Sequence, residues 1–589
     1  MVAQVFALVQ IVFSADRGES DVWVQPVQEY QQSFEERLQK QDGKTIELNP
    51  ARHYSHLGTD YGPLKTGGGR LSWRSGQVRA VTGTDQTTGM WHSLEGLARE
   101  TDRLFNASAC YPALIHPRFQ LQCVGVHVIA RGSGKLRLEL KSTAEEMLWQ
   151  ETRELKSPSQ FQCLEFAFNP VQLRELKGVK FLNWLVLPSS DVTIDAVRLV
   201  LDGPRLPLDE RLFLKSYAKL ARCYLPDDLV VKDRANWSAG QFESVPATGM
   251  FCLVTCAAST IGIVERSLAS ETLHGVHRRI SQLPRSHGLL PHFLRKADGA
   301  YGIHPGTEYS TIDTSLYYHS MLLAAQLMGD HELLRQLEFN IKEIGFSELR
   351  DAEGFVIHGL KDDGRTKLES AWRDWGGETA LVLLLQRMAA DGRFEPKMNA
   401  TGRVHRGTGF IAEIQSLFYP QFSSSAADQV TRIDWSAARR QLLREQREYV
   451  QSNWPESAAA QAGFFGLSAG EGPGGVGYVA DGTDVPGLRL LHPHYMLMTG
   501  VLDATGTLAR LDRLEQMGFF PPWGLVENVT VDLDESLPMI GSLNASFEAL
   551  AAYHLWAASG SRSDEIYDAA RQCPLTRTAI KVFYPEDSR

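Results

Sequence analysis

The chain has 589 residues, 60 of them basic and 70 acidic, with a formal charge of -10. That length allows two or three domains and a large core, and 43% apolar with 22% charged residues is an ordinary globular composition. The acidic balance argues against nucleic acid as a main partner, because phosphate binding wants a basic face. No apolar run reaches the roughly 20 residues of a membrane span.

Residues 1–60 form an N-terminal segment. Met1 to Ala15 is apolar with small residues just before Asp16, like the apolar core and cleavage site of a secretory signal, although it is short and lacks a preceding Lys or Arg. Export would place the protein in the periplasm or outside the cell. A buried first strand or helix, and hence a cytoplasmic protein, is the competing account. A polar helix is predicted over about Val22 to Gln41.

From residue 61 to 204 short apolar or alternating runs recur between turn signals. The clearest are Phe119–Ala130, Lys135–Leu140, Phe161–Phe168, Phe181–Leu187 and Val192–Leu201. Strands at such spacing predict a β-sandwich. The last run alternates well and resembles the closing strand of jelly-roll carbohydrate-binding modules. Gly203-Pro204-Arg205-Leu206-Pro207 reads as a linker.

From residue 205 to 589 the pattern is helical. Predicted helices are Glu210–Cys223, Gly249–Ser270, Leu316–Gly329, Leu333–Ile344, Glu378–Ala390, Ala437–Ser452, His494–Gly506, Ala509–Gly518 and Asn544–Ala558. Long loops rich in Gly, Pro, Asp and Trp separate them, and no short repeat recurs. This predicts an α-helical barrel or toroid with its loops gathered over one end.

Seven cysteines give no clean framework. Cys252 and Cys256 lie a helical turn apart in an apolar run and are expected to be core thiols. Two of Cys110, Cys123 and Cys163 could bridge in an oxidising compartment. No Cys/His spacing matches a zinc site, so no metal is expected.

Chemistry concentrates in four loops. Gly306 to Ser320 packs Glu308, Asp313, three tyrosines and a histidine into the mouth of an apolar helix, where Ser310 or Thr311 can serve as cap and the acids sit at the positive end. Trp372-Arg373-Asp374-Trp375-Gly376-Gly377-Glu378 sets an acid beside tryptophans at a helix start, a setting in which a carboxyl can keep its proton near neutral pH. Phe464 to Tyr478 carries Glu471 on a glycine frame. It lacks the Lys-Ser/Thr of a phosphate loop. Leu491 to Asn528 contains His492, His494, Trp523 and Glu527. Each stretch also has a plain reading as a capped helix, a surface loop or a satisfied core histidine. Together they offer acids from separated positions with aromatic faces between them. Glycosidic cleavage needs one carboxylic acid to protonate the leaving oxygen and one carboxylate to activate water or attack.

The order Thr307-Glu308-Tyr309-Ser310-Thr311-Ile312-Asp313, Gly354-Phe355, Trp375-Gly376-Gly377-Glu378, Gly409-Phe410-Ile411 to Phe418, Ile433-Asp434-Trp435, Phe465-Gly466-Leu467-Ser468-Ala469-Gly470-Glu471-Gly472-Pro473 and Trp523-Gly524-Leu525 resembles the glycoamylase-like group of bacterial glycoside hydrolases. That group includes the endo-β-1,2-glucanases and the processing domains of cyclic β-1,2-glucan synthases. The resemblance spans the later part of the chain, and the sandwich lies outside it as an accessory module. It implies a multidomain protein whose second domain is an all-α (α/α)6 barrel with a sugar cleft. Glu378 would be the general acid, with Asp313 and Glu308 among the substrate or water contacts. The chain departs from the family pattern in having Glu471 where Asp usually precedes Gly-Pro, and Trp-Gly-Gly-Glu in place of Tyr-Asn-Glu. Both departures bear on the substrate linkage.

The expectation is therefore a hydrolase or transglycosylase acting on a bacterial β-glucan or exopolysaccharide, without a cofactor. Glu378 is the expected acid, with Glu471 or Asp313 positioning water. Glu308, Tyr309, Trp372, Asp374, Trp375, His492, His494, Trp523 and Glu527 are the expected substrate contacts. A non-catalytic polysaccharide-binding or biosynthesis-accessory protein on the same barrel is the alternative. A phosphorolytic enzyme is a third reading, which no basic phosphate pocket in the sequence recommends.

Overall fold

The computed structural model describes residues 45–47, 61–64, 68–74, 77–93, 122–143, 146–168, 179–202, 207–235, 242–373, 376–390, 394–399, 404–472, 477–485, 487–516, 519–520, 524–534, 536–537, 539–560 and 562–585. The expected signal at 1–15, the polar helix at 22–41, Cys110, Asp374, Trp375 and Trp523 lie outside them.

The N-terminal part is sheet. Its strands are β1 (Thr45–Glu47), β2 (Tyr61–Leu64), β3 (Arg70–Arg74), β4 (Gln77–Val81), β5 (Thr88–Ser93), β6 (Gln122–Lys141), β7 (Met147–Leu155), β8 (Gln162–Ala167), β9 (Phe181–Val186) and β10 (Asp191–Asp202). They run in the order β2-β5-β9-β6-β10-β4-β3, with β1 on β10 and with β7 and β8 on β6. The predicted run over Lys135–Leu140 and the described part of the run Phe119–Ala130, from Gln122 on, are thus one strand. Its first half pairs with β10 and β8, and its second with β7 and β9. The changeover falls at Gly132 and Gly134, whose φ values of 137° and 123° only glycine adopts readily. The expected sandwich therefore appears as a single hydrogen-bonded network of strands joined through β6, rather than as two separate sheets. Alternation still buries one face: Val126, Val128, Ala130, Leu136, Leu138 and Leu140 are fully covered.

The rest is helical, as expected. Six helices touch in a closed circuit: α2 (Val245–Thr260), α3 (Thr311–Met328), α4 (Gly377–Ala389), α5 (Gly409–Glu413), α6 (Pro493–Met498) and α7 (Ser542–Ser559), which returns to α2. In α2, α3, α4 and α7 nearly every residue is buried, so these helices are apolar on all sides. A second set packs against them. α1 (Leu208–Cys223) lies on α7, Arg266–Ser281 on α2, His331–Lys342 on α3, Pro574–Phe583 on α4, Trp435–Asn453 on α5 and Ala504–Gln516 on α6. Several of these carry the expected single buried stripe, such as Leu333, Leu337 and Ile341.

The predicted helix Gly249–Ser270 is in fact two helices. The apolar run continues through Ile261 and Ile263, but the chain turns at Gly262 with φ 75° and restarts at Arg266. The predicted His494–Gly506 likewise stops at Met498 and passes through a 3-10 turn. Cys252 and Cys256 are buried thiols in α2. No described helix is long and apolar enough to cross a membrane.

Short strands, each paired with a strand distant in sequence, precede several inner helices. Glu243–Ser244 leads into α2, Glu308–Ser310 into α3, and Leu490–Leu491 lies just before α6. They gather polar side chains at the N-terminal ends of the ring, where helix dipoles favour negative charge. α2 and α3 approach closely because a Cβ on Gly249 would lie 2.8 Å from Tyr317 Cα and 3.1 Å from its carbonyl oxygen. Gly249→Val should therefore destabilise the protein by about 1–3 kcal/mol, the usual range for overpacking. Denaturant unfolding checks this, and an unchanged midpoint would contradict the close approach.

Candidate active site

Ser310 caps α3 by accepting a hydrogen bond from the Asp313 N–H (3.2 Å), which fixes Asp313 in the first turn. Strand alternation then decides where its neighbours go. Glu308 reaches His292, whose Nδ1 lies 2.9 Å from Glu308 Oε1 and 3.6 Å from Asp313 Oδ2. Tyr309 is buried on the other side of the strand, where its ring lies beside Gly364. Thr307 donates to Glu308 Oε2 at 3.3 Å, and His292 stacks on Phe293 at 3.7 Å.

Glu378 is the second residue of α4, at its positive end. The preceding glycines allow the packing that puts it there. A Cβ on Gly377 would overlap Gln415 and come within 2.7 Å of the Ile411 carbonyl oxygen, so the close approach is to the neighbouring segment. Burial, reinforced by the negative charge of Asp313 and opposed by His292, pushes Glu378 up to about 8. Burial also raises Asp313, against the pull of His292. Burial opposes charge on His292, but Asp313 and Glu308 outweigh it and lift the imidazole to about 9. Burial likewise works against the Glu308 anion, yet His292 and the hydrogen bonds hold it below its ordinary value. Carboxyl groups of opposite protonation preference therefore stand side by side.

Trp372 donates its indole N–H to Thr311 Oγ1 (2.8 Å) and stacks on His358 at 3.9 Å, so it braces the start of α3.

A second group adjoins the first. Glu471 lies on strand Ala469–Gly472, directly opposite Tyr478 on strand Gly477–Ala480. Arg234 holds Glu471 Oε2 at 2.8 Å and Asp233 Oδ2 at 3.3 Å. Asp233 feels the charge of His292, and Tyr478 feels those of Glu527, Asp233 and Glu378, so the two groups share one electrostatic environment. Behind them His492, His494 and Glu527 are buried to 0%, 1% and 1% exposure. His494 meets Ser468 Oγ at 3.1 Å, and Glu527 Oε1 accepts from Asn544 (2.6 Å). A Cβ on Gly470 would lie 2.7 Å from His492 Nδ1 and 3.0 Å from Glu527 Oε1, so strand Ala469–Gly472 packs directly on this layer. These three residues support the site from beneath.

Asp233, Arg234 and His292 escaped the sequence reading. Asp233-Arg234 sits in a polar turn without a motif, and His292 is a lone histidine 16 residues before Glu308. Among the described residues, His292, Glu308 and Asp313 are the group whose ligand atoms fall within 4.8 Å of one another, close enough for a metal ion. Two of these side chains, His292 and Glu308, are joined by a hydrogen bond.

No protein-family model and no curated protein matches the sequence. The fold, however, matches solved structures. An endo-β-1,2-glucanase from Chitinophaga pinensis, solved with sophorotriose and glucose, aligns at TM-score 0.52 and 14% identity, covering 64% of this chain and 99% of the other. A β-1,2-glucanase from Parabacteroides distasonis aligns at TM-score 0.54 and 9% identity, covering 92% of this chain and 99% of the other. The chain thus shares its overall fold with these two solved structures.

The Arg234–Glu471 contact makes a prediction about stability. Arg234→Met leaves Glu471 buried without its cation, so the variant should be destabilised at neutral pH by about 3–5 kcal/mol. Removing the cation raises the proton affinity of Glu471 in the folded state. The deficit is therefore present at high pH and shrinks as falling pH protonates the carboxyl. Thermal melts of both proteins between pH 5 and pH 8 check the sign. A deficit independent of pH would contradict it.

Proposed function

We propose that the protein is a glycoside hydrolase that cleaves a bacterial β-glucan, with β-1,2-glucan the favoured substrate. The observation that carries this reading is the placement of Asp313 in the first turn of α3 and of Glu378 in the first turn of the adjoining α4, both at the N-terminal mouth of the helical ring. Hydrolysis of a glycosidic bond needs an acid that still holds its proton near neutral pH and a carboxylate able to activate water or attack. Glu378 protonates the glycosidic oxygen as the bond to the anomeric carbon breaks, and Asp313 directs the water. Glu471, held by Arg234, serves better as an orienting group than as a base. Glu308 and Trp372 line the sugar positions. The fold shared with two β-1,2-glucanases supports this substrate class.

In the same reading the closed ring with its second helical set is an (α/α)6 barrel over residues 205–589. The strand network over 61–204 is a jelly-roll-like, carbohydrate-binding accessory domain.

Incubating the full chain with linear β-1,2-glucan and a panel of other glucans, and measuring new reducing ends, tests the reading. Glu378→Gln should lower kcat by roughly a hundred- to ten-thousand-fold, the usual contribution of a general acid. Binding without products, unchanged in the variant, would instead establish the non-catalytic alternative. Because the acid must be protonated, kcat/KM should fall as pH rises through about 8. An alkaline limb near the ordinary carboxyl range would contradict the assignment.

A further inference from the structure

Three acidic side chains, Glu308, Asp313 and Glu378, meet around His292, and Asp233 faces it from the turn after strand Val230–Val231. Had each acid its own cation, their protons would be set independently. Instead one imidazole lies 2.9 Å from Glu308 and 3.6 Å from Asp313 through the same Nδ1 atom. Its ring is fixed by stacking on Phe293 at 3.7 Å and 21°. The backbone seals the arrangement, because the His292 N–H donates to the Glu308 carbonyl oxygen (2.9 Å), while Val245 N–H donates to the His292 carbonyl oxygen (3.2 Å). The His292 backbone thus ties Val245, at the start of α2, to the strand that precedes α3.

We propose that His292 is a positioning residue whose imidazole clamps the side chains of Glu308 and Asp313 through one shared Nδ1 atom and so fixes where both carboxyl groups point at the mouth of the ring. A carboxylate that must accept a proton from water has to be both ionised and aimed, and a buried pair of like charges achieves neither alone. A shared imidazolium supplies both conditions. It also reaches Glu378 electrostatically without touching it, so it limits how firmly that acid holds its proton. The wider surroundings are negative, with Asp233 on one side and Glu471 beyond it, and Arg234 engages both of those. The cation nearest to Glu308 and Asp313 is accordingly His292. This inference rests on the hydrolase reading for its catalytic meaning, whereas the clamp itself does not.

Two measurements on the full chain separate these levels. In the first, the imidazole signals of histidine-labelled protein are followed by NMR across pH, with His292 assigned by its loss in His292→Gln. The clamp predicts a midpoint above the ordinary 6.5 of histidine, dropping by about one unit or more in Glu308→Gln and again in Asp313→Asn. A midpoint unchanged in both variants overturns the proposal. So does a signal shifted by added zinc and restored by EDTA, since the three side chains would then be a ligand set.

In the second, kcat and KM of His292→Gln on linear β-1,2-glucan are measured across pH. The proposal expects kcat to fall tenfold or more, with KM changed far less. It also expects both limbs of the profile to move to higher pH, because the Asp313 carboxylate and the Glu378 acid each lose a cation that lowered their proton affinity. A merely structural loss would lower activity without moving the limbs, and that result overturns the positioning role. Should the wild-type protein cleave no glucan while the NMR midpoints drop as expected, the hydrolase reading fails and the clamp stands.

Discussion

Burial of several carboxyl groups around too few cations is the constraint on which the site depends. Water ordinarily stabilises each anion, and in the mouth of the helical ring much of that water is gone. Folding can tolerate the arrangement only if some acids are paired and another keeps its proton. His292 pairs with Glu308 and Asp313, and Arg234 pairs with Glu471 and Asp233. Glu378 has neither cation in contact, and burial raises its proton affinity. The proposed division of labour between acid and carboxylate rests on this charge balance in a confined space.

The scaffold makes that confinement possible. α2, α3, α4 and α7 are buried on nearly all sides, so their termini are held in place by packing. Their close spacing depends on small residues at the contacts, Gly249 against Tyr317 and Gly376-Gly377 against Ile411 and Gln415. α3 and α4 then deliver Asp313 and Glu378 from their first turns, where the dipole tolerates a nearby anion. Supporting groups behind the site, including His492, Glu527 and Asn544, keep strand Ala469–Gly472 and its Glu471 in register.

Parts of this were legible in the sequence for physical reasons. Polar residues crowding the entrance of an apolar helix pointed to Ser310 or Thr311 as cap, of which the structure uses Ser310, and to Glu308 and Asp313 as site candidates. Glu378 at an apolar helix start stood out in the same way. Other features left no local trace. The turn at Gly262 hides inside an unbroken apolar run, and the bend of β6 at Gly132 and Gly134 looked like a gap between two strands. Arg234 and His292 reach the site through long-range pairing, with Arg234 and Glu471 more than 200 residues apart in sequence. Tyr478 sat in a glycine-rich loop, and only the strand register opposite Glu471 gives it a place. Tyr309 shows the limit of reading composition alone, because strand alternation turns it away from Glu308.

Infrared difference spectroscopy of the Glu378 carboxyl tests this account most directly. Spectra of carbon-13 glutamate-labelled protein, with Glu378→Gln subtracted, isolate that one group across pH. The account predicts that its protonated carbonyl band persists through neutrality and disappears with a midpoint of about 8. Disappearance near the ordinary glutamate value of about 4.3 would mean that the acid is ionised at working pH, and the charge-balance explanation would be wrong.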